Sequence, residues 1–318
     1  MRLFVTGGAG FIGSNFVHFV LGSSDDEVTV FDALTYAGNL ANLRDVEEGP
    51  RFRFVKGDIT DRDAVEEAMT GHDAIVHFAA ESHVDRSIAS SDEFVRTNCH
   101  GTNVIMDVAR RLEVPRVIHI STDEVYGSVE RGSSKENDPL EPRSPYSASK
   151  AGSDLIALSY FATYGLPVIV TRSSNNYGPY QFPEKVIPLF VTNLLDGLKV
   201  PLYGDGMNVR DWCYVEDNCA GVDLVLRNGE VGQIYNIGAG NEIPNRVLTE
   251  KILALLGADE SMINYVEDRL GHDRRYSIAT DKVEALGWRP QRDLDEALAV
   301  TVEWYRGNRS WWEPLKAG

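Results

Sequence analysis

From the N-terminus to Thr171, short runs of β-branched and other apolar residues alternate with longer stretches of helical periodicity. The short runs predict strands and the longer stretches predict helices. The predicted strands are Arg2–Thr6, Val28–Asp32, Phe52–Lys56, Ala74–Ala79, Val117–Ser121 and Val168–Thr171, and the predicted helices are Gly10–Leu21, Asp61–Met69, Phe94–Leu112 and Ser147–Tyr164. Because strands that alternate with helices build βαβ units, we expect an α/β fold with a Rossmann-type, doubly wound parallel sheet.

After about Asn175 the pattern becomes irregular, because segments shorten and prolines and glycines are frequent. This change predicts a smaller mixed α/β C-terminal lobe that binds the substrate. We therefore expect residues 1–175 to form the Rossmann domain and residues 176–318 to form mainly the substrate lobe. A helical stretch at Val215–Leu226 predicts that a segment near 211–238 returns to the Rossmann domain.

Charge and composition restrict the partners of this 318-residue chain. A formal net charge of −17 argues against nucleic acid or an anionic membrane as the main partner. No stretch approaches the ~18 apolar residues of a bilayer span. The cysteines, Cys99, Cys213 and Cys219, lack CxxC spacing, so we expect neither disulfides nor a metal site. A strand predicted from Arg2 leaves no room for a signal peptide, so we expect a cytoplasmic protein.

The run Gly7-Gly8-Ala9-Gly10-Phe11-Ile12-Gly13 fits a dinucleotide-binding loop. It follows a predicted strand and opens a predicted helix, whose N-terminus is suited to a pyrophosphate. Asp32 closes the second predicted strand, where a carboxylate binds ribose hydroxyls and repels a 2′-phosphate, so the sequence favours NAD over NADP. Asp58-Ile59, at the end of the third strand, is expected to contact the adenine. The alternative is a plain strand–helix turn without a ligand.

Tyr146 and Lys150 are four residues apart and share one face of a predicted helix. A nearby ammonium is expected to lower the pKa of the phenol, so that Tyr146 takes a proton from a sugar hydroxyl while hydride leaves the same carbon. The alternative is a solvent-facing helix pair. Together with the glycine loop and with Ser121-Thr122 at a strand end, this motif resembles the extended short-chain dehydrogenase/reductase family over nearly the whole chain.

Asp123 and Glu124 follow the fifth predicted strand directly. Two adjacent carboxylates are costly to bury, and close like charges push their pKa values apart, which leaves one protonated and one ionised. A dehydratase needs such an acid and base, whereas an epimerase that only moves hydride at C4 does not. The alternative is that strand alternation sends the two side chains to opposite faces, one of them into solvent.

Four longer runs narrow the resemblance to the dTDP-glucose 4,6-dehydratases of this family: Phe78–Ser87, Thr122–Gly127, Arg172–Gln181 and Gly271–Tyr276. Leu270 is a departure, because many of these relatives have proline or another residue before Gly-His-Asp. The resemblance implies conversion of dTDP-glucose to dTDP-4-keto-6-deoxyglucose and water by C4 oxidation, elimination across C5 and C6, and C6 reduction with recycled NAD. That reaction is the first committed step of deoxysugar biosynthesis, and the C-terminal run Asn308–Lys316 resembles versions from antibiotic-sugar pathways.

The resemblance also implies residue roles. Tyr146 is expected to act as base at the C4 hydroxyl with Lys150 as its partner, Asp123 as acid at C6 and Glu124 as base at C5. Thr122 is expected to donate a hydrogen bond to the C4 oxygen. The NAD-binding residues are expected to be Gly7, Gly10, Phe11, Ile12, Gly13, Asp32, Ala33, Leu34, Thr35, Asp58, Ile59, Ala79, Ala80, Ser82, Thr97, Tyr146, Lys150 and Asn176. The substrate-binding residues are expected to be His83, Thr122, Asn175, Lys185, Val186, Leu189, Pro201, Tyr203, Arg210, Asn245, Arg274 and Tyr276.

Two predicted helices have more apolar positions than one sheet face requires, and the family implies that they form a four-helix homodimer interface. The residues expected there are Val95, Val104, Val108, Leu155, Leu158 and Phe161. The alternative is ordinary packing of helices on the sheet. Three other functions stay open: a dehydratase for another nucleotide sugar, a 4-epimerase, or a catalytically silent NAD-binding module.

Overall fold

The structure is a computed structural model that describes residues 1–316. The last two residues of the predicted substrate lobe lie outside the described residues. Its strands are β1 (Arg2–Thr6), β2 (Glu27–Asp32), β3 (Phe52–Lys56), β4 (Ala74–His77), β5 (Val117–Thr122), β6 (Val168–Ser173), β7 (Asn175–Tyr177), β8 (Val200–Tyr203), β9 (Val209–Tyr214), β10 (Ile234–Ile237), β11 (Glu242–Pro244) and β12 (Ile263–Val266). Its helices are α1 (Phe11–Ser23), α2 (Arg62–Met69), α3 (Val84–Ala89), α4 (Asp92–Phe94), α5 (Thr102–Arg111), α6 (Pro145–Tyr164), α7 (Val186–Leu195), α8 (Val215–Asn228), α9 (Asn245–Leu256), α10 (Asp281–Ala285), α11 (Leu294–Gly307) and α12 (Arg309–Lys316). Within residues 1–316, no helix is both long and apolar enough to cross a membrane.

The main sheet has seven parallel strands in the order β10-β6-β5-β4-β1-β2-β3. Its central strands are apolar on both faces because helices cover both sides, and the two resulting cores bury residues such as Val5 and Val76 on one side and Phe4 and Ile75 on the other. The expected Rossmann-type α/β fold is confirmed. Ligands of such sheets bind at the carboxyl ends of the strands, where the chain order reverses.

The predicted helix Phe94–Leu112 is not one regular α-helix, because Val95–Gly101 is π-helical. In this wider turn Asn98 binds the loop after β4 through both backbone groups of Glu81, at 2.8 and 3.0 Å. Its amide also donates to Ser149 Oγ of α6 at 2.8 Å. The π-helical turn thereby connects the loop after β4 to α6. Such π-helical turns are frequent at functional sites.

The second lobe combines a mixed sheet β11-β9-β7 and a parallel pair β12-β8 with helices α7, α9, α11 and α12. Its core contains Tyr177, Trp212 and the fully buried Trp312. Strand β10 joins the main sheet beside β6, and α8 packs on α1. The C-terminal part of the chain therefore contributes to both lobes.

Candidate active site

The turn between β1 and α1 requires glycine at two positions. Gly7 has φ of +69°, and a Cβ there would lie 2.5 Å from Ala79 N, while a Cβ on Gly13 would lie 2.3 Å from Gly7 O. Helix α1 starts after Gly10, so no side chain caps its first N–H groups. These N–H groups are free to bind a pyrophosphate. The start of α1 therefore fits a dinucleotide.

Asp32 lies at the end of β2 on the wall of the same groove. Its Oδ2 accepts a hydrogen bond from Ala9 N at 2.9 Å, and its Oδ1 accepts one from Leu34 N at 2.8 Å. Burial raises the pKa of this carboxyl, although the two backbone bonds oppose the shift. The fixed carboxylate keeps lone pairs for ribose hydroxyls and disfavours a phosphate at that place.

Most residues predicted to bind NAD line this groove. Leu34 and Asn176 are the exceptions: Leu34 has a positive φ of 54° in the loop behind Asp32, and Asn176 faces the second pocket. The groove also contains residues that were not predicted to bind NAD: Phe31, Tyr36, Ala37, Gly38, Gly57, Phe78, Glu81, Glu93, Ile120, Ser121, Gln181, Phe182 and Glu184. Tyr36–Gly38 follow Asp32 in the same loop, which was the available signal for them.

Tyr146 and Lys150 stand at the start of α6, which Ser144 and Ser147 begin with a reciprocal capping box. Lys150 Nζ donates to Ile120 O at 2.7 Å, and burial lowers the pKa of Lys150 to about 8. The expected lowering of the Tyr146 pKa by Lys150 is wrong for this arrangement. Burial raises that pKa, Glu124 and Asp123 raise it further, and the nearby Thr122 hydroxyl opposes them.

Asp123 and Glu124 begin a short 3₁₀ helix, Asp123–Tyr126, directly after β5. Thr122 caps this turn, since its Oγ1 accepts from Glu124 N at 3.2 Å and donates to Asp123 Oδ1 at 3.2 Å. The alternative in which one carboxylate points into solvent is excluded, because Asp123 is 3% exposed and Glu124 lines the second pocket. The 3₁₀ turn ends the strand alternation on which that alternative depended.

The two carboxyl groups have different surroundings. Burial raises the pKa of Asp123 well above its ordinary value, and Glu124 and Asp211 raise it further. Burial also raises the pKa of Glu124, but the cations Arg269, Arg210 and Lys185 act against it. Asp123 is therefore the better proton donor and Glu124 the better proton acceptor.

A second pocket opens beside these carboxylates and shares Ser82, Gln181, Glu184 and Lys185 with the first. Nine residues predicted to bind substrate line it: His83, Asn175, Lys185, Val186, Leu189, Pro201, Tyr203, Arg210 and Asn245. Lys185 Nζ is held by Ser82 O at 2.8 Å. Arg210 lies 4.1 Å from the ring centre of Tyr276 and donates to Asp273 O at 2.9 Å. The pocket thus offers the buried Arg210 and the partly buried Lys185 as cations for phosphates beside apolar walls.

Three predicted substrate residues do not line this pocket. Thr122 caps the start of the Asp123–Tyr126 turn. Tyr276 packs against Arg210, and its hydroxyl donates to Asp273 Oδ2 at 2.8 Å. Arg274 is mostly exposed and forms a bidentate pair with Asp205 at 2.9 and 3.0 Å. A contact of Arg274 with substrate requires that this pair opens.

The pocket also has polar residues that the sequence did not single out. Asp85, Arg269 and His272 line its mouth. Arg269 Nη1 lies 3.8 Å from Asp85 Oδ1, and His272 Nδ1 lies 2.6 Å from Asp268 Oδ1. Their side chains come from α3 and from a loop far along the chain, so no local motif joined them. The run Gly271–Tyr276, which contains His272, was the available signal.

Comparison with known proteins assigns the family. Residues 4–301 match the family described as GDP-mannose 4,6 dehydratase. The chain belongs to this family. The membership of the extended short-chain dehydrogenases/reductases that the motifs indicated is thereby confirmed. Over 99% of its length the chain is 56% identical to the dTDP-glucose 4,6-dehydratase of Streptomyces antibioticus, of which it covers 96%. The narrower resemblance is also confirmed.

Solved structures agree with this assignment to the family. The crystal structure of DesIV (dTDP-glucose 4,6-dehydratase) from Streptomyces venezuelae with NAD and TYD bound is 58% identical, with a TM-score of 0.98 over 99% of this chain and 100% of that chain. The UDP-glucose 4-epimerase of Thermus thermophilus in complex with NAD is 32% identical, with a TM-score of 0.88 over 97% and 100% of the two chains. Dehydratases and epimerases share this fold, so the chemistry must be argued from the site.

Proposed function

We propose that the protein is an NAD-dependent dTDP-glucose 4,6-dehydratase that forms dTDP-4-keto-6-deoxyglucose and water. One observation carries this proposal beyond the family: two adjacent carboxyl groups lie near Tyr146, the buried Asp123 and the partly buried Glu124, and Glu124 lines the second pocket. An epimerase has no use for an acid and a base at C5 and C6. The identity to the Streptomyces antibioticus dehydratase supports the same nucleotide.

The glycine turn, the N-terminus of α1 and Asp32 would hold the cofactor in the first groove. When bound there, NAD supplies a hydride acceptor for C4 and a hydride donor for C6. Because the cofactor ends each cycle oxidised, the enzyme gains nothing from releasing it. The buried Lys150 lines the same groove and would bind the ribose of the cofactor through its ammonium group.

At C4, Tyr146 is the proton acceptor, and the nearby Thr122 hydroxyl is the group expected to donate a hydrogen bond to the C4 oxygen. To accept that proton Tyr146 must start as the phenolate, which becomes the neutral phenol as the C4 hydroxyl loses its proton and hydride leaves C4. Burial and the two carboxylates raise the pKa of Tyr146, so its phenolate is a strong base in this site. Its position one turn before Lys150 puts an ammonium on the same helix face, where it would offset the phenolate charge that Tyr146 carries before it takes the proton.

At C5 and C6, the 4-keto group acidifies the C5 proton, which Glu124 removes. Asp123 gives its proton to the C6 hydroxyl, and water leaves. The cations near Glu124 favour its ionised form, whereas the carboxylates near Asp123 favour its protonated form. The two groups therefore start the elimination in the protonation states it needs.

The division into lobes and the oligomeric state belong to the same proposal. Residues 1–175, with the returning segment near 211–238, would bind NAD, and residues 176–318 would mainly bind the nucleotide sugar. We also propose a cytoplasmic homodimer formed by the 92–111 segment and α6. Val95 and Leu155 support it because they are 54% and 61% exposed. Val104 and Val108 do not, because they are buried in the core against the sheet.

The test is incubation of the purified protein with dTDP-glucose in heavy water, with NMR and mass spectrometry of the product. The expected product is the 4-keto-6-deoxy sugar with deuterium at C5. Conversion of a UDP- or GDP-sugar instead would refute the thymidine nucleotide and keep the reaction. Failure with every nucleotide sugar, with NAD still bound, would refute the enzyme and favour a silent NAD-binding module.

A further inference from the structure

A buried ion pair lies behind the active site and has no role in the mechanism above. Arg172 of β6 is 2% exposed, and its Nε donates to Asp154 Oδ2 at 2.9 Å. Asp154 follows Lys150 by one turn of α6, so Tyr146, Lys150 and Asp154 share one helix face. His119 Nε2 lies 3.3 Å from Asp154 Oδ1, but burial lowers the pKa of His119 and favours its neutral form. Arg172 is therefore the cation that balances Asp154.

The same guanidinium contacts the turn that carries the elimination groups. It lies 4.7 Å from the ring centre of Tyr126, which is the last residue of the Asp123–Tyr126 turn. Its Nη1 also donates to Glu136 O at 3.3 Å. The Tyr126 hydroxyl donates to Asn236 Oδ1 of β10 at 2.8 Å, so the ring is fixed at both ends. One planar cation thus joins α6, which carries Tyr146 and Lys150, to the turn that carries Asp123 and Glu124.

We propose that Arg172, paired with Asp154, is a positioning residue. It holds the Asp123–Tyr126 turn, with Asp123 and Glu124, at a fixed position relative to Tyr146 and Lys150 of α6. This inference rests on the proposed function, because it assigns C4 oxidation to the helix and elimination to the turn. Arginine suits the position, since its planar group stacks on an aromatic ring while its N–H groups bind a carboxylate. A purely structural ion pair would stabilise the fold without distinguishing the two chemical steps.

A single-turnover experiment separates the two roles. After wild-type protein is mixed with dTDP-glucose, absorbance of the reduced cofactor rises with C4 oxidation and falls with elimination and C6 reduction. Arg172→Lys keeps the charge and loses the planar group, so its decay phase should slow by ~10-fold or more while the rise stays within ~3-fold. Asp154→Asn/Arg172→Met removes the whole pair without an unpaired buried carboxylate and should show a larger effect of the same kind.

The control is Arg227→Lys, which changes a partly buried arginine away from the Asp123–Tyr126 turn, paired with Asp26 at 2.7 Å and Asp223 at 2.8 Å. It should lower the melting temperature without changing the ratio of the two phases. The proposal would be overturned if both phases slowed equally in the Arg172 variants. It would also be overturned if the ratio of the rise rate to the decay rate in these variants equalled that of Arg227→Lys. Wild-type protein that forms no product from dTDP-glucose would instead refute the proposed function, so the two failures are distinct.

Discussion

Thr122 Oγ1 donates a hydrogen bond to Asp123 Oδ1 at 3.2 Å, while Oδ2 of the same buried carboxyl has no hydrogen-bond partner within residues 1–316. An unpaired buried carboxylate oxygen is costly, so the protonated form is favoured. The nearby carboxylates of Glu124 and Asp211 raise the pKa of Asp123 further. This relationship makes Asp123 a proton donor that stays loaded at a pH where an exposed aspartate is ionised.

Elimination should therefore have a bell-shaped pH profile. Its rate should fall as pH rises through the raised pKa of Asp123, because the acid form is lost, and as pH falls through that of Glu124, because the base form is lost. The decay of reduced-cofactor absorbance, followed across pH, measures it. Asp123→Asn should slow that decay and remove the alkaline limb. An unchanged alkaline limb in this variant would assign the limb to another group.

Glu124→Gln should leave C4 oxidation nearly intact and slow elimination by ~10²–10⁴-fold, since it removes the base at C5 and keeps the shape of the side chain. Reduced cofactor should accumulate, and C5 of the recovered sugar should gain no deuterium from heavy water. Glu130→Gln, at an exposed glutamate of the following loop, is the control and should behave like wild type. Equal loss of both steps in Glu124→Gln would contradict the assignment.

The sequence predicted the parts of the site that are local. The glycine turn, Tyr146 with Lys150, and Asp123 with Glu124 each lie within a few residues of one strand or helix end, so spacing alone placed them together. The doubly wound parallel sheet followed from the alternating pattern of predicted strands and helices for the same reason. The π-helical turn at Val95–Gly101 was not predictable, because it depends on the bonds of Asn98 to Glu81 and Ser149.

The rest of the site depends on contacts between distant segments. Arg274 was predicted to bind substrate and Arg269 was not, yet Arg269 lines the pocket while Arg274 pairs with Asp205 on the surface. Nothing in the local sequence distinguishes two arginines of one loop. Val104 and Val108 likewise have the same spacing as interface residues, and only the position of α5 on the sheet shows that they belong to the core.

Gly13→Ala should abolish tight NAD binding, because the new Cβ would lie 2.3 Å from Gly7 O and push the glycine turn out of shape. Overpacking of this kind costs about 1–3 kcal/mol of folding stability. Gly22→Ala is the control in the same helix, since its Cβ would meet nothing within 4 Å. It should keep NAD and raise stability by up to ~1 kcal/mol. Cofactor released on denaturation and the melting temperature check both, and retention of NAD by Gly13→Ala would contradict the role of the turn.

The proposed dimer makes the last prediction. Leu155 is 61% exposed on α6, and the π-helical segment with the exposed Val95 packs against that helix. Leu155→Glu would place a charge in the apolar centre of the interface, where truncating a central residue typically costs ~2 kcal/mol or more. The variant should sediment as a monomer at micromolar concentration, where wild type is expected to sediment as a dimer.

Leu198→Glu is the matched control, because Leu198 is 53% exposed in the turn after α7, away from α6. It should remain a dimer. Since dimerisation stabilises the folded state by mass action, the melting temperature of wild type should rise with protein concentration and that of Leu155→Glu should not. A wild-type monomer, or a Leu155→Glu dimer of unchanged affinity, would show that this apolar face is not the interface.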